Sequence, residues 1–177
     1  KQDEEKIRDG WQTVKLVVER IRKMVLDILY YAKKRELQWE RVEAASFANG
    51  VAKAVEPKMS ENGIEFECQL NEEAGECEID PGYVHAALGN ILENAVDACL
   101  KDEEKSSHKI VFRLSADDGN VNFVVQDNGI GMDDDTKEKL FTRFFSSKGR
   151  KGTGLGLFIA NEIVSQHGGK IVVNSAP

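Results

Sequence analysis

The chain has 177 residues, 41% of them hydrophobic, which suffices for one full domain and a smaller appendage. Its 24 basic and 31 acidic residues leave a net charge of −7, which argues against nucleic acid or an anionic membrane as a partner. No apolar run approaches the roughly 20 residues that span a bilayer, and the opening residues lack a signal-peptide core.

Residues 5 to about 33 read as one helix. Ile7, Trp11, Val14, Val18, Ile21, Val25, Ile28 and Ala32 recur in alternating steps of 4 and 3, a strict heptad. Val17, Met24 and Tyr31 widen the stripe, which suits a helical bundle better than a two-stranded seam. Partner helices are expected from an upstream segment, a second copy of the chain, or both. The opposite face is charged: Arg8, Lys15, Glu19, Arg22 and Lys23. The pattern breaks over residues 34–40, which places a boundary there: 1–40 as helical appendage, 41–177 as main domain.

A helix over about 44–62, interrupted by Pro57, ends at Gly63. Period-two alternation predicts a strand at 64–70, and a shorter one follows at 75–79. Cys68 and Cys77 then fall on adjacent strands, with two buried thiols favoured over a disulfide. The three cysteines, Cys99 included, lack metal-type spacing and fit a reducing compartment, so a cytoplasmic location is expected. Asp80 and Pro81 give an N-cap and first-turn proline for a helix to about residue 100. A hairpin follows, with strands at 109–115 and 121–126 around Asp117, Asp118, Gly119 and Asn120. A loop-rich stretch at 129–152 holds one short helix, and a last helix spans about 154–166. Residues 170–175 read as a strand without a hairpin partner.

Three polar motifs stand out. On the helix beginning at Pro81, Asn90, Glu93, Asn94 and Asp97 share one face. Neutral amides there suit a metal held among phosphates, because they do not repel the anion; Asn94 can offer its carbonyl oxygen to Mg²⁺. Asp127 ends a strand before Asn128, Gly129, Ile130 and Gly131, and a carboxylate there can accept from the exocyclic amine of adenine. Gly129 and Gly131 leave room for a purine against the backbone. Gly152, Thr153, Gly154, Leu155 and Gly156 lead into a helix, where backbone N–H groups can meet phosphate oxygens. Neither a P-loop ending nor the βαβ context of a dinucleotide fingerprint is present. Between the glycine motifs, Phe141, Phe144 and Phe145 precede a basic stretch with Lys148 and Arg150, the composition of a phosphate lid. ATP is the expected ligand.

The residues 90–95 (Asn-Ile-Leu-Glu-Asn-Ala), 127–131 (Asp-Asn-Gly-Ile-Gly), 141–145 (Phe-Thr-Arg-Phe-Phe) and 152–157 (Gly-Thr-Gly-Leu-Gly-Leu) resemble the N, G1, F and G2 boxes of sensor histidine kinases. These boxes mark the catalytic ATP-binding domain within the GHKL, or Bergerat-fold, ATPases. His167, Gly168, Gly169 and Lys170 resemble the element that follows. The resemblance covers about residues 42–175, and four boxes in order make it specific. The heptad helix resembles the second helix of the family's dimerisation and phosphotransfer hairpin.

The resemblance implies an α+β fold: a two-layer sandwich whose mixed sheet is covered by helices on one face, preceded by the heptad helix. It implies Asn94 as Mg²⁺ ligand with Asn90 beside it, and Asp127 reading adenine. Gly129, Ile130, Gly131, Met132, Phe144, Asp97, Lys148, Gly152, Thr153, Gly154, Leu155 and Gly156 complete the expected ATP contacts. Glu93 would orient or deprotonate an acceptor histidine. Asp97 stands where many members carry a lysine, a feature closer to the nitrogen-regulator-type kinases; Lys148 or Arg150 is expected to take over that phosphate contact. The implied activity is a protein-histidine kinase working as a homodimer and passing its phosphoryl group to a response-regulator receiver domain. None of His85, His108 and His167 lies on the heptad helix, so the phosphoacceptor is expected upstream of Lys1 in a longer chain, with a last strand missing at the other end. Two alternatives are an ATPase machine of the same fold and a non-catalytic nucleotide-binding dimerisation module. The first uses a glutamate four residues before the metal-binding asparagine, and here that position is Asn90.

Overall fold

The computed structural model describes residues 6–8, 10, 11, 13–15, 17, 18, 21, 22, 25, 36–146 and 153–177. The chain falls into two compact units, Lys1–Glu36 and Leu37–Pro177. In the first, the described residues from 6 to 25 are helical. Ile7, Trp11, Val14, Val17, Val18, Ile21 and Val25 are all exposed there. Ile28, Ala32, Met24 and Tyr31 lie outside the described residues.

The second unit runs β1 (Glu40–Glu43), α1 (Ala44–Glu61), β2 (Ile64–Leu70), a 3-10 turn (Glu72–Ala74), β3 (Glu76–Ile79), α2 (Pro81–Lys101), β4 (His108–Asp117), β5 (Asn120–Asp127), α3 (Asp134–Lys139) and α4 (Gly156–Gln166). Strands β2, β4 and β5 form a mixed sheet in the order β2-β4-β5, with β2 parallel and β5 antiparallel to β4. Strands β1 and β3 form a separate antiparallel ladder. This is an α+β fold.

Alternation along β4 separates the two faces. Ile110, Phe112 and Leu114 are buried beneath α1 and α2. Phe123 of β5 stacks on Phe112 and meets Phe47 of α1 edge-on, at centroid distances of 6.4 and 6.0 Å. The other face is polar: Lys109 sits 2.7 Å from both Glu65 and Glu67, and Arg113 Nε donates to Gln69 at 2.8 Å. Helix α4 packs along α2 and contributes Ile159, Ala160 and Ile163 to the core.

Four sequence expectations need correction. Helix α1 is not interrupted at Pro57 but runs through it. The Lys53 carbonyl that loses its partner belongs to an exposed residue, so water can replace the bond, and buried Val51, Ala52 and Met59 hold the helix on both sides. Cys68 and Cys77 lie in different sheets, so their strands are not neighbours. All three cysteines are free; Cys68, on the edge strand, is exposed, and Cys77 is half-buried. Residues 170–175, expected as a strand, alternate in burial as one would, yet they pair with no strand among the described residues. Alternation selects which side chains face inward; it does not supply a neighbouring strand. Lastly, β1 forms where only a boundary was expected, because antiparallel pairing with β3 supplies the hydrogen-bond partners that four residues alone lack; the exposed Arg41–Glu76 contact at 2.6 Å adds little.

Candidate functional site

Helix α2 is built as its sequence demands. Asp80 Oδ1 accepts the Tyr83 N–H at 3.1 Å, and Pro81 opens the first turn. Val84, Leu88, Leu92, Ala95, Val96 and Cys99 are buried. Asn90, Glu93, Asn94 and Asp97 form a half-exposed row beside them. Asn94 Nδ2 donates to the Asn90 carbonyl at 2.7 Å, which fixes the side chain and turns its Oδ1 away from that carbonyl. Glu93 lies 3.4 Å from Lys58 of α1, both side chains well exposed, so the pair adds little stability.

The glycine-rich segment meets this row. A Cβ at Gly156, the first residue of α4, would stand 3.3 Å from Asn90 Oδ1. Leu155 at the N-cap makes no side-chain capping bond, while its own N–H donates to Thr153 Oγ1 at 3.3 Å. Gly154 has φ +67° and lies against the backbone of Phe144, whose N–H donates to the Gly154 carbonyl at 3.0 Å. Phe144 has φ 62° and is 72% exposed. The neighbouring Arg143 guanidinium covers the Phe158 ring at 4.9 Å. Lys148, Arg150 and Gly152 lie outside the described residues.

Asp127 closes β5 and is exposed. Its Oδ1 accepts the Gly129 N–H at 3.0 Å. The close backbone approach that Gly129 permits is to the protein itself, since a Cβ there would run into Ala98 and Cys99 of α2. Gly131, with φ +66°, lies likewise against Ala176. Ile130 donates its N–H to the Ala98 carbonyl at 3.2 Å; its side chain is exposed, and Met132 is half-buried. Burial first, and then the charge of Asp127, push the nearby Cys99 thiol up to about 11.

Sequence motifs do not point to Asp102 and Lys105, which stand behind the 127–131 turn. Lys105 Nζ lies 2.6 Å from Asp102 Oδ2 and 3.3 Å from the Gly129 carbonyl. An aspartate just past a helix, with backbone N–H groups two and three residues on, is the one local signal for such a bend. His108 Nε2 is buried without a hydrogen-bond partner, 3.6 Å from Asp102 Oδ2.

Thus the start of α4 meets α2 at Asn90, and the 127–131 turn meets the same helix further along, at Ala98 and Cys99. Residues 79–177 match the family described as histidine kinase-, DNA gyrase B-, and HSP90-like ATPase. The chain is 29% identical over 161 residues to the signal transduction histidine-protein kinase AtoS of Escherichia coli, covering 90% of this chain and 26% of AtoS. It therefore spans about a quarter to a third of such relatives. It superposes on full-length ShkA, solved with AMPPNP, at a TM-score of 0.69 and 26% identity, covering 82% of this chain and 31% of ShkA. For histidine kinase ThkA, solved with the response regulator TrrA, the TM-score is 0.66 at 26% identity, covering 87% and 43% of the two chains. On the match over residues 79–177, the chain belongs to the histidine kinase-, DNA gyrase B- and HSP90-like ATPase family.

Proposed function

We propose that this chain binds Mg²⁺-ATP where α2, the 127–131 turn and the start of α4 meet, and that it is the catalytic part of a protein-histidine kinase. The observation that carries the reading is that Asn90 Oδ1 stands over the side of Gly156 where a Cβ would project, which sets the amide row against the glycine-rich helix start. A helix N-terminus without a side-chain cap, facing neutral amides, suits phosphate oxygens. The named relatives are histidine kinases, and one solved relative holds AMPPNP.

The donor set fits Mg²⁺. Asn90 and Asn94 offer amide oxygens one helical turn apart. Among the described residues no group of three His, Cys, Asp or Glu forms a metal cage. That is too little for a metal held by protein alone, but it suits a cation that keeps its water and leans on phosphate. When bound, the metal would neutralise charge on the phosphates. Asp127 would accept from the adenine amine, with Gly129, Ile130, Gly131 and Met132 shaping the pocket. Gly154, Leu155, Gly156, Thr153 and Gly152 would bring backbone N–H groups to the phosphates, joined by Lys148, and Phe144 would anchor the lid. Asp97 would line the same row. Glu93 would orient the acceptor histidine, freed from Lys58 as that substrate docks. Catalysis would be mostly positioning and charge neutralisation.

The exposed heptad stripe supports pairing with a second copy in a helical bundle. The phosphoryl group would then pass from histidine to a response-regulator aspartate, in keeping with the ThkA–TrrA complex. No described helix is long and apolar enough to cross a membrane.

The test uses a longer protein carrying this chain, γ-labelled ATP and Mg²⁺. A label on protein that survives alkali but not acid, and that an upstream His→Gln change abolishes, is the expected result. Phosphate released to water with no labelled protein would instead favour an ATPase machine.

A further inference from the structure

Between α2 and β4 lies a short segment, 102–107, that no motif covers. It begins with Asp102, whose side chain is 4% exposed. A carboxylate so enclosed needs partners. Its Oδ1 accepts the backbone N–H groups of Glu104 and Lys105 at 3.0 and 3.2 Å, and its Oδ2 accepts Lys105 Nζ at 2.6 Å. The charge-assisted bond holds the Lys105 ammonium in one place rather than leaving it to water. From there Nζ also donates to the Gly129 carbonyl at 3.3 Å. The same part of the chain grips the turn again one residue earlier. Asn128 Nδ2 donates to the Ser107 carbonyl at 3.3 Å, and the Lys109 N–H donates to Asn128 Oδ1 at 2.8 Å. On the other side Gly129 is pressed onto the backbone of Ala98 and Cys99.

We propose that Lys105, held by Asp102, is a positioning residue for base recognition: it fixes the Gly129 carbonyl and thereby the direction in which Asp127 presents its carboxylate. The link is short, because Asp127 Oδ1 accepts the Gly129 N–H. The carbonyl and the N–H of Gly129 lie in the two peptide planes that meet at its Cα, and with no side chain to restrict them, loosening the first loosens the second; the Ile130 N–H, bonded to the Ala98 carbonyl, holds the far end of the first plane, so the loss is partial. This role rests on the nucleotide reading above.

Calorimetric titration of the 177-residue chain with Mg²⁺-ADP is the experiment. The Lys105 side chain is half exposed, so Lys105→Met is expected to fold. It should weaken ADP binding roughly fivefold, the size of one ordinary hydrogen bond lost from the support of the turn. Lys105→Arg keeps a donor within reach of Asp102 and Gly129, and should restore most of the affinity. Asp102→Asn combined with Lys105→Met should lose no more affinity than Lys105→Met alone, because both act through one contact. Wild-type affinity in Lys105→Met, or a loss that Lys105→Arg does not relieve, overturns the proposal. A wild-type chain that binds no ADP sinks the nucleotide reading itself, and the positioning role falls with it.

Discussion

His167 Nε2 accepts the backbone N–H of Asp80 at 3.0 Å, a bond that joins the end of α4 to the start of α2 across 87 positions. The imidazole can do this because its Nδ1 stands 2.7 Å from the Ile163 carbonyl, which places the proton on Nδ1 and leaves Nε2 to accept. Asp80 is buried, and its Oδ2 takes the Gln38 N–H at 2.9 Å while Oδ1 caps α2. Trp39 meets the His167 ring edge-on at 5.1 Å. Both helices that carry candidate nucleotide contacts are therefore tied at the end away from Asn94.

His167→Ala strands the buried Asp80 N–H, and an unsatisfied donor costs about 1–3 kcal/mol. Urea unfolding is expected to show that loss, with His167→Gln recovering part of it because an amide oxygen can accept. A loss below about 0.5 kcal/mol, the ordinary size of a neutral surface change, would mean that water satisfies the N–H instead.

Asp102 predicts a pH dependence. The hydrogen bond from Lys105 holds its carboxyl down at about 2, against the opposing effect of burial and with help from the Glu104 and Lys105 N–H groups. In the unfolded chain an aspartate titrates near ~3.9. A folded value below the unfolded one contributes stability that is fully present above the unfolded value and is lost as pH falls through the folded one. Wild-type stability should therefore drop between about pH 4 and pH 2 more steeply than that of Asp102→Asn. Urea melts at several pH values across that window measure the two slopes, and parallel slopes would remove Asp102 as a cause.

Gly119 and Gly131 share a left-handed backbone, with φ of +77° and +66°, but differ in the room around them. Gly119 follows Asp118, itself at φ 47°, in the two-residue hairpin turn between β4 and β5, and a Cβ added there would meet no atom within 4 Å. A Cβ at Gly131 would enter the backbone of Ala176. Asparagine tolerates left-handed φ, so placing it at both sites isolates the steric part. Gly119→Asn should change stability by only about 0.5 kcal/mol, and Gly131→Asn should cost about 1–3 kcal/mol. Equal costs would show that residues 176 and 177 simply move aside.

Much of this was legible in the sequence because it is local and periodic. Asp80-Pro81 announces α2, Asp118-Gly119 announces the hairpin, and alternation in β2 places its faces. The grouping of Asn90, Asn94 and Asp97 follows from helical spacing alone. What was not legible depends on partners far along the chain. Glu40–Glu43 becomes a strand only beside Glu76–Ile79. The separation of Cys68 from Cys77 follows from which sheet each strand joins, and no spacing encodes that. The contact of Lys105 with Gly129 spans 24 positions, and neither residue carries a pattern that names the other.

The cysteines offer a check on burial. The Cys99 thiol, buried and pushed up to about 11, is both hidden and poorly ionised. Burial and Glu56 raise Cys68 as well, but Cys68 is exposed; burial and Glu43 raise half-buried Cys77. A disulfide reagent near pH 8, followed by mass spectrometry, should label Cys68 first, Cys77 more slowly, and Cys99 only after urea is added. Early labelling of Cys99 would mean that the contact between α2 and the 127–131 turn opens readily.

Gly156 separates stability from binding. Its φ is not left-handed, so alanine is tolerated by the backbone, and alanine favours a helix over glycine by up to about 1 kcal/mol. The added Cβ would stand 3.3 and 3.4 Å from Asn90 Oδ1 and Cγ, closer than comfortable contact. Asn90 is half exposed and can rotate away, so Gly156→Ala should leave stability within about 0.5 kcal/mol of wild type. The displaced amide, however, is one of those expected beside the metal and phosphates. Mg²⁺-ADP affinity should fall several-fold while the thermal midpoint holds. In an Asn90→Ala background the same substitution should cost less, because the amide it displaces is already gone. Undiminished affinity in Gly156→Ala would mean that nucleotide does not bind at the junction of α2 and α4, whatever the order of motifs along the chain.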